Sequence, residues 1–153
     1  MTGMLNSLKD FLKNTLQVND AALAKEAPRN IELAAAVLMV EISLADSSLD
    51  DDERRFITSA LRDEFRLSTE EAATIMALAE KESDHAVSLY EFTRLINESM
   101  SPPDKVHIIE LLWRVAFADS VLDKYEEYYI RKIADLLYIS HTDYIRAKHK
   151  SMQ

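Results

Sequence analysis

Gly3 is the only glycine in a chain of 153 residues, and only three prolines accompany it. Average usage would place about ten glycines in such a length. Sheets joined by tight hairpins draw on glycine at nearly every turn. Helices joined by capped ends do not. Ala, Leu, Glu, Asp and Ile abound instead, and no stretch shows the Val/Thr/Tyr alternation of a strand. The chain therefore reads as an all-α bundle. At this length it is one domain, able to bury about 70% of the surface its unfolded form exposes.

Helix starts are marked by local chemistry. Leu5, Leu8, Phe11, Leu12 and Leu16 recur at helical spacing and predict an amphipathic first helix. Val18 to Arg29, closed by Pro28, reads as a connector, followed by a strongly apolar helix from Asn30 to Asp46. Asp50 with Glu53, Ser68 with Glu71 and Ser88 with Glu91 each place a cap three residues before a glutamate, the pattern of a capping box. Ser101-Pro102-Pro103-Asp104 opens another helix, proline being tolerated in the first turn. Further helices follow from Asp123 to Tyr138 and after Ser140. The sum is about eight helices. Residues 1–29 form an N-terminal helix and connector, and residues 30–153 the helical domain proper.

An internal repeat organises that domain. Ala45-Asp46-Ser47-Ser48-Leu49-Asp50-Asp51-Asp52-Glu53-Arg54-Arg55-Phe56-Ile57 aligns with Ala118-Asp119-Ser120-Val121-Leu122-Asp123-Lys124-Tyr125-Glu126-Glu127-Tyr128-Tyr129-Ile130, and seven of the thirteen positions are identical. Each copy follows a long apolar helix and leads into a shorter one. Two pseudo-symmetric three-helix units, packed through their apolar helices, account for the pattern. Residues 31–45 are apolar nearly all round, as befits a buried central helix.

The shared core, Ala-Asp-Ser-x-Leu-Asp-x-x-Glu, resembles the signature of the TerB (tellurite-resistance) family, usually Ala-Asp-Gly-x-Ile/Leu-x-x-x-Glu, which occurs in both halves of that helical fold. The resemblance covers roughly residues 30–147, with Ser47 and Ser120 standing where the family has glycine. It implies a stress-associated bacterial protein, and it implies divalent-metal binding by the acidic motif residues. Carried onto this chain these are Asp46 and Glu53, Asp119 and Glu126, with Asp50 and Asp123 as secondary members.

Carboxylates alone suit Ca²⁺, Mg²⁺ or Mn²⁺ better than zinc or copper. The same residues also have a structural reading. Asp50 and Asp123 are good N-caps, and Glu53 and Glu126 stand where a capping box is completed. Asp46 and Asp119 differ, because each lies at the C-terminal end of a helix, where the dipole disfavours a negative charge. There a cation, loop amides or a basic neighbour must compensate. An EF-hand is excluded, since Asp51 and Lys124 stand where the loop needs glycine, and Ile57 and Ile130 where it needs glutamate.

Glu41 and Arg114 hold equivalent repeat positions inside the two apolar helices, and we expect them to form an ion pair across the pseudo-twofold axis. Glu82-x-x-His85 is half of a di-iron motif without its second half, and His85 reads as a loop residue. His107, His141 and His149 show no partner pattern. The tyrosines Tyr125, Tyr128, Tyr129, Tyr138 and Tyr144 divide between core and interface. The first helix packs on the core or docks a partner.

The chain has no cysteine, which excludes disulfides and thiolate chemistry, and its single glycine excludes a phosphate loop or nucleophile elbow. A net charge of −9 argues against nucleic acid as partner. Leu33 to Val40, the longest apolar run, is far too short to cross a bilayer, and the N-terminus has no signal-peptide pattern. We therefore expect a cytoplasmic, non-enzymatic binding module whose partner is another protein. A metal-independent interaction scaffold is the alternative, and a metal-dependent hydrolase a more distant one.

Overall fold

The computed structural model describes residues 10, 20–44, 50–81, 85–118 and 124–152, with side chains for 10, 30–44, 50–81, 87–117 and 127–152. Seven helices and no strand occur among the described residues: α1 (Asp20–Leu44), α2 (Asp51–Asp63), α3 (Thr69–Glu80), α4 (His85–Ser99), α5 (Pro102–Ala118), α6 (Lys124–Leu136) and α7 (His141–Ser151). Of the predicted helix through Leu5 and Leu16, only Asp10, which is helical, lies among the described residues.

Two helix starts differ from the sequence reading. From Asp20 onward the predicted connector is helix, and α1 runs straight through Pro28. Ala21, Ala22, Leu23, Ala24, Lys25, Glu26 and Ala27 are nearly all among the strongest helix formers, and together they outweigh one missing backbone donor. α4 already includes His85, so Ser88 is not its cap and His85 is helical, not part of a loop. Ser88 is buried inside that helix, beside the inward-facing Leu89, Phe92 and Ile96.

Three other starts follow the predicted chemistry. Asp50 and Ser68 are N-caps with complete capping boxes, and Ser140 caps α7 by accepting from the Asp143 amide. Each such cap satisfies a helix-end amide that would otherwise be unpaired.

α1 is the centre of the molecule. From Ile31 to Leu44 only Glu32 and Ser43 escape full burial, and Ala34, Ala35 and Ala36 are all 0% exposed. Their small side chains allow neighbouring helices to approach closely, and α1 packs against α3, α4, α5 and α6. The two units predicted from the repeat are α1–α2–α3 and α5–α6–α7, joined through the α1–α5 contact. α2 and α6 are each 13 residues long. α4 lies between the units in sequence and packs on α1 and α6.

The second unit closes when α7 packs along α5. Trp113, fully buried, stacks on Phe117 with ring centroids 5.4 Å apart and meets Tyr144 at 5.8 Å. Lys148 places its ammonium 5.0 Å from the Trp113 ring and 3.2 Å from Glu127 Oε1. At the end of α7, the Ser151 hydroxyl donates to the Glu110 carbonyl at 3.0 Å, and Lys150 lies 3.5 Å from the Glu110 carboxylate.

With one glycine in the chain, two helix ends use other residues in left-handed backbone: Arg66 at φ 58° and Tyr138 at φ 60°. After α6 the turn is a Schellman closure, with Tyr138 N–H donating to the Asp135 carbonyl at 3.1 Å and Ile139 N–H to Ala134 at 3.0 Å. After α2 the stretch before the next cap is one residue longer. The corresponding bonds, Phe65 to Ala60 and Leu67 to Leu61, are accordingly wider loops.

Candidate functional site

The first acidic motif is built at the start of α2. Glu53 N–H donates to Asp50 Oδ1 at 2.7 Å, and Asp50 N–H donates to Glu53 Oε1 at 3.0 Å. One oxygen of each carboxylate is thereby committed to a backbone amide, and Asp50, Asp51, Asp52 and Glu53 are all exposed. Around them Arg54 pairs with Glu80 of α3, and Arg55 pairs with Asp52. The Arg54–Glu80 pair ties α2 to α3, and cation and carboxylate are both partly solvated, so its contribution to stability is small.

Asp46, Asp119 and Asp123 lie outside the described residues. Glu126 lies on α6, but its side chain is outside the described set. Among the described residues, no group of three or more His, Asp or Glu side chains is arranged to hold a metal ion. The helices preceding Asp46 and Asp119, α1 and α5, have no basic residue in their last turns, so the dipole there has no side-chain compensation from its own helix.

Glu41 and Arg114 are placed unequally. Glu41 is 2% exposed on α1, whereas Arg114 is exposed on α5, and among the described residues no ion pair joins them. From Ile31 to Leu44 α1 is buried almost all round, whereas α5 exposes Arg114, so equivalent sequence positions sit in different environments. Of the tyrosines, Tyr144 is buried, Tyr129 half-buried, and Tyr128 and Tyr138 exposed. Burial is the main cause that pushes the Tyr144 hydroxyl up to about 12, with the Glu127 carboxylate adding to it.

A groove of about 260 Å³ opens between α4 and the end of α6, lined by residues that include Tyr90, Arg94, Asn97, Glu98, Asp135 and Tyr138. Beneath it, Asn97 Nδ2 donates to the Leu136 carbonyl at 3.0 Å, and Lys105 Nζ donates to Asn97 Oδ1 at 3.1 Å. This chain of bonds fixes the ends of α4 and α6 against the start of α5. The sequence singled out Tyr138 but not Tyr90, Glu98 or Asp135. The available signal was a weak one, the Val87–Tyr90–Arg94 stripe on one face of a helix.

Against this fold and its duplicated acidic motif, the family described as "Tellurite resistance protein TerB" matches residues 32–149. The chain belongs to the TerB family. The match spans both repeat units, from the start of the buried part of α1 to near the end of α7. No curated protein and no solved structure matches this TerB chain. No described helix of it is long and apolar enough to cross a membrane.

Proposed function

We propose that this TerB-family chain acts by binding and not by catalysis, as a cytoplasmic, stress-associated module that recruits another protein. One observation carries the reading: Asp50 and Glu53, the two signature carboxylates whose side chains are described, each accept a backbone amide and start a helix. Carboxylates used in this way build the scaffold. The lack of cysteine and of a glycine-rich loop supports a non-enzymatic role, because it removes thiolate nucleophiles, nucleophile elbows and phosphate-cradling loops. A metal-dependent hydrolase needs clustered ligands beside an open coordination position in a cleft.

A second reading adds a divalent ion, Ca²⁺, Mg²⁺ or Mn²⁺, to the same module. It draws on the two helix ends before Asp46 and Asp119, which have no basic residue in their last turns. Those two aspartates, with Glu53 and Glu126, would hold the ion, and Asp50 and Asp123 are secondary members. The ion would supply charge compensation there and order the loops.

Calorimetric titration of chelator-stripped protein with each cation, beside the Asp46→Asn/Asp119→Asn double variant, separates the two. Absence of heat and of thermal shift in both proteins is the expected result for the metal-independent module. Saturable binding lost in the variant establishes the cation-dependent form.

A further inference from the structure

We propose that the groove between α4 and α6 is a docking site for a basic side chain, arginine above all, presented by a partner protein, because two helix C-termini, two carboxylates and two exposed tyrosine rings converge there. The inference deepens the reading of the chain as a protein-recruiting module and rests on it.

The electrostatics begin with the backbone. α4 and α6 both end at the groove, and neither has a basic residue in its last turn. A helix C-terminus carries about half a negative charge from its aligned carbonyls and favours a cation nearby. Here each last turn adds a carboxylate instead, Glu98 on α4 and Asp135 on α6. Asp135 is exposed, and among the described residues no salt bridge involves it.

Local cations offset part of this charge: Arg94 and Lys105 stand at the groove, and the exposed Arg131 and Lys132 lie one turn before Asp135 on α6. Arg94 lies 3.5 Å from Glu98, but both side chains are mostly exposed, at 70% and 59%. Such a pair is weak and readily exchanged. Lys105 is held by Asn97 Oδ1, with its ammonium 5.9 Å from the Tyr138 ring centroid.

The rings supply the apolar and π component. Tyr90 is 59% exposed and Tyr138 82% exposed, and Val87, one turn before Tyr90, is 54% exposed. Tyrosine and arginine are the residues enriched at the energetic centres of protein interfaces. A planar guanidinium can stack on a phenol ring while forking its donors toward a carboxylate, which a compact ammonium does less well.

Long-range charge favours the same class of partner. Residues 1–100 carry 19 Asp and Glu against 10 Lys and Arg, while residues 101–153 carry eight of each. A field of that sign speeds the approach of a basic protein segment and opposes a second copy of this chain.

The test is a titration of ¹⁵N-labelled full-length protein with a hexa-arginine peptide, run beside hexa-lysine. The expected result is amide shifts concentrated at Tyr90, Arg94, Asn97, Glu98, Asp135 and Tyr138, with hexa-arginine the tighter ligand. Glu98→Gln/Asp135→Asn should weaken binding about tenfold or more. Asp51→Asn/Asp52→Asn removes the same charge from the distant start of α2 and should weaken it less than about threefold. Tyr90→Ser, at an exposed position, gives an independent loss, and thermal melts verify that each variant is folded.

Equal losses in the two charge variants would reduce the binding to net charge and overturn the proposal. Shifts centred elsewhere on the surface would overturn the groove while leaving the protein-binding reading intact. A protein dimer burying Tyr90 and Tyr138, seen by light scattering, would replace the basic partner with a second copy and overturn it as well. Silence toward both peptides, with no shift at millimolar concentration, overturns the groove and removes its support from the broader reading.

Discussion

Arg66 and Tyr138 stand at matching turns of the two repeat units, between the second and third helix of each and two residues before the N-caps Ser68 and Ser140, and both adopt left-handed backbone, at φ 58° and 60°. A side chain with a Cβ in that region costs about 1 kcal/mol relative to glycine. Glycine in its place lowers that strain but adds freedom to the unfolded chain, so the net gain is smaller.

Arg66→Gly is therefore expected to stabilise the protein by about 0.5 kcal/mol, raising the melting temperature by about 1–2 °C for a domain of this size. The ion pair between Arg66 and Glu32, 3.6 Å long with the arginine 82% exposed, offsets little of this. Tyr138→Gly should gain less, because it also removes the ring beside Lys105. Differential scanning calorimetry of the two variants checks both the sign and the order. Destabilisation by Arg66→Gly beyond about 1 kcal/mol would mean that the arginine holds the α2–α3 turn by contacts stronger than its backbone strain.

The cap at Asp50 separates the role of a charge from the role of an acceptor. Asparagine accepts the same backbone bond as aspartate and ranks equally at an N-cap, whereas alanine cannot accept. Asp50→Asn should hold stability within about 0.5 kcal/mol, and Asp50→Ala should lose about 1 kcal/mol. Glu53→Ala should cost less than Asp50→Ala, since it removes only the reciprocal bond to the Asp50 amide. Urea denaturation of the three variants measures the differences. If Asp50→Asn were as damaging as Asp50→Ala, the carboxylate charge would matter beyond the cap.

What the sequence made legible lies within a few residues of itself. The boxes at Asp50–Glu53 and Ser68–Glu71 and the cap at Ser140 are local bonds, so residue type and spacing suffice to place them. The repeat likewise revealed the two units, the TerB resemblance and the buried helix at their centre. Residues that meet across the fold were not legible. Tyr90 and Asp135 become neighbours of one groove only because α4 packs on α6. Glu41 and Arg114 were expected to face each other by symmetry. However, α4 has no counterpart in the repeat and packs on α1, so the two central helices are covered unequally. The passage of α1 through Pro28 was missed for a third reason: a sum of favourable propensities outweighed one unfavourable residue.

The Ala34-Ala35-Ala36 stretch gives a packing test. All three are fully buried where α1 meets its neighbours, so an added side chain has no solvent to enter. Ala35→Leu should destabilise by about 1–3 kcal/mol through overpacking, despite leucine being a good helix former and more apolar. Leu38→Ala, on the same helix, should cost about 2–5 kcal/mol through the cavity it leaves. Guanidinium denaturation reads both. A neutral Ala35→Leu would show that the helices around α1 can separate by the width of a side chain without loss.

The hydroxyl of Tyr144 couples stability to alkaline pH. Buried against Trp113 and near the Glu127 carboxylate, it is raised from 10.0 to about 12 in the fold. Between these values the unfolded chain releases this proton and the native chain keeps it, so the native state binds more protons there and stability falls as pH rises. The contribution is fully present below pH 10 and is lost progressively toward pH 12, by an amount on the order of 2–3 kcal/mol. In Tyr144→Phe this part of the decline should vanish, while stability at pH 7 changes by less than about 1.5 kcal/mol. Urea midpoints from pH 8 to 11.5 for the two proteins provide the measurement. Parallel curves would assign the alkaline loss to lysine deprotonation or net charge, and would remove Tyr144 as its source.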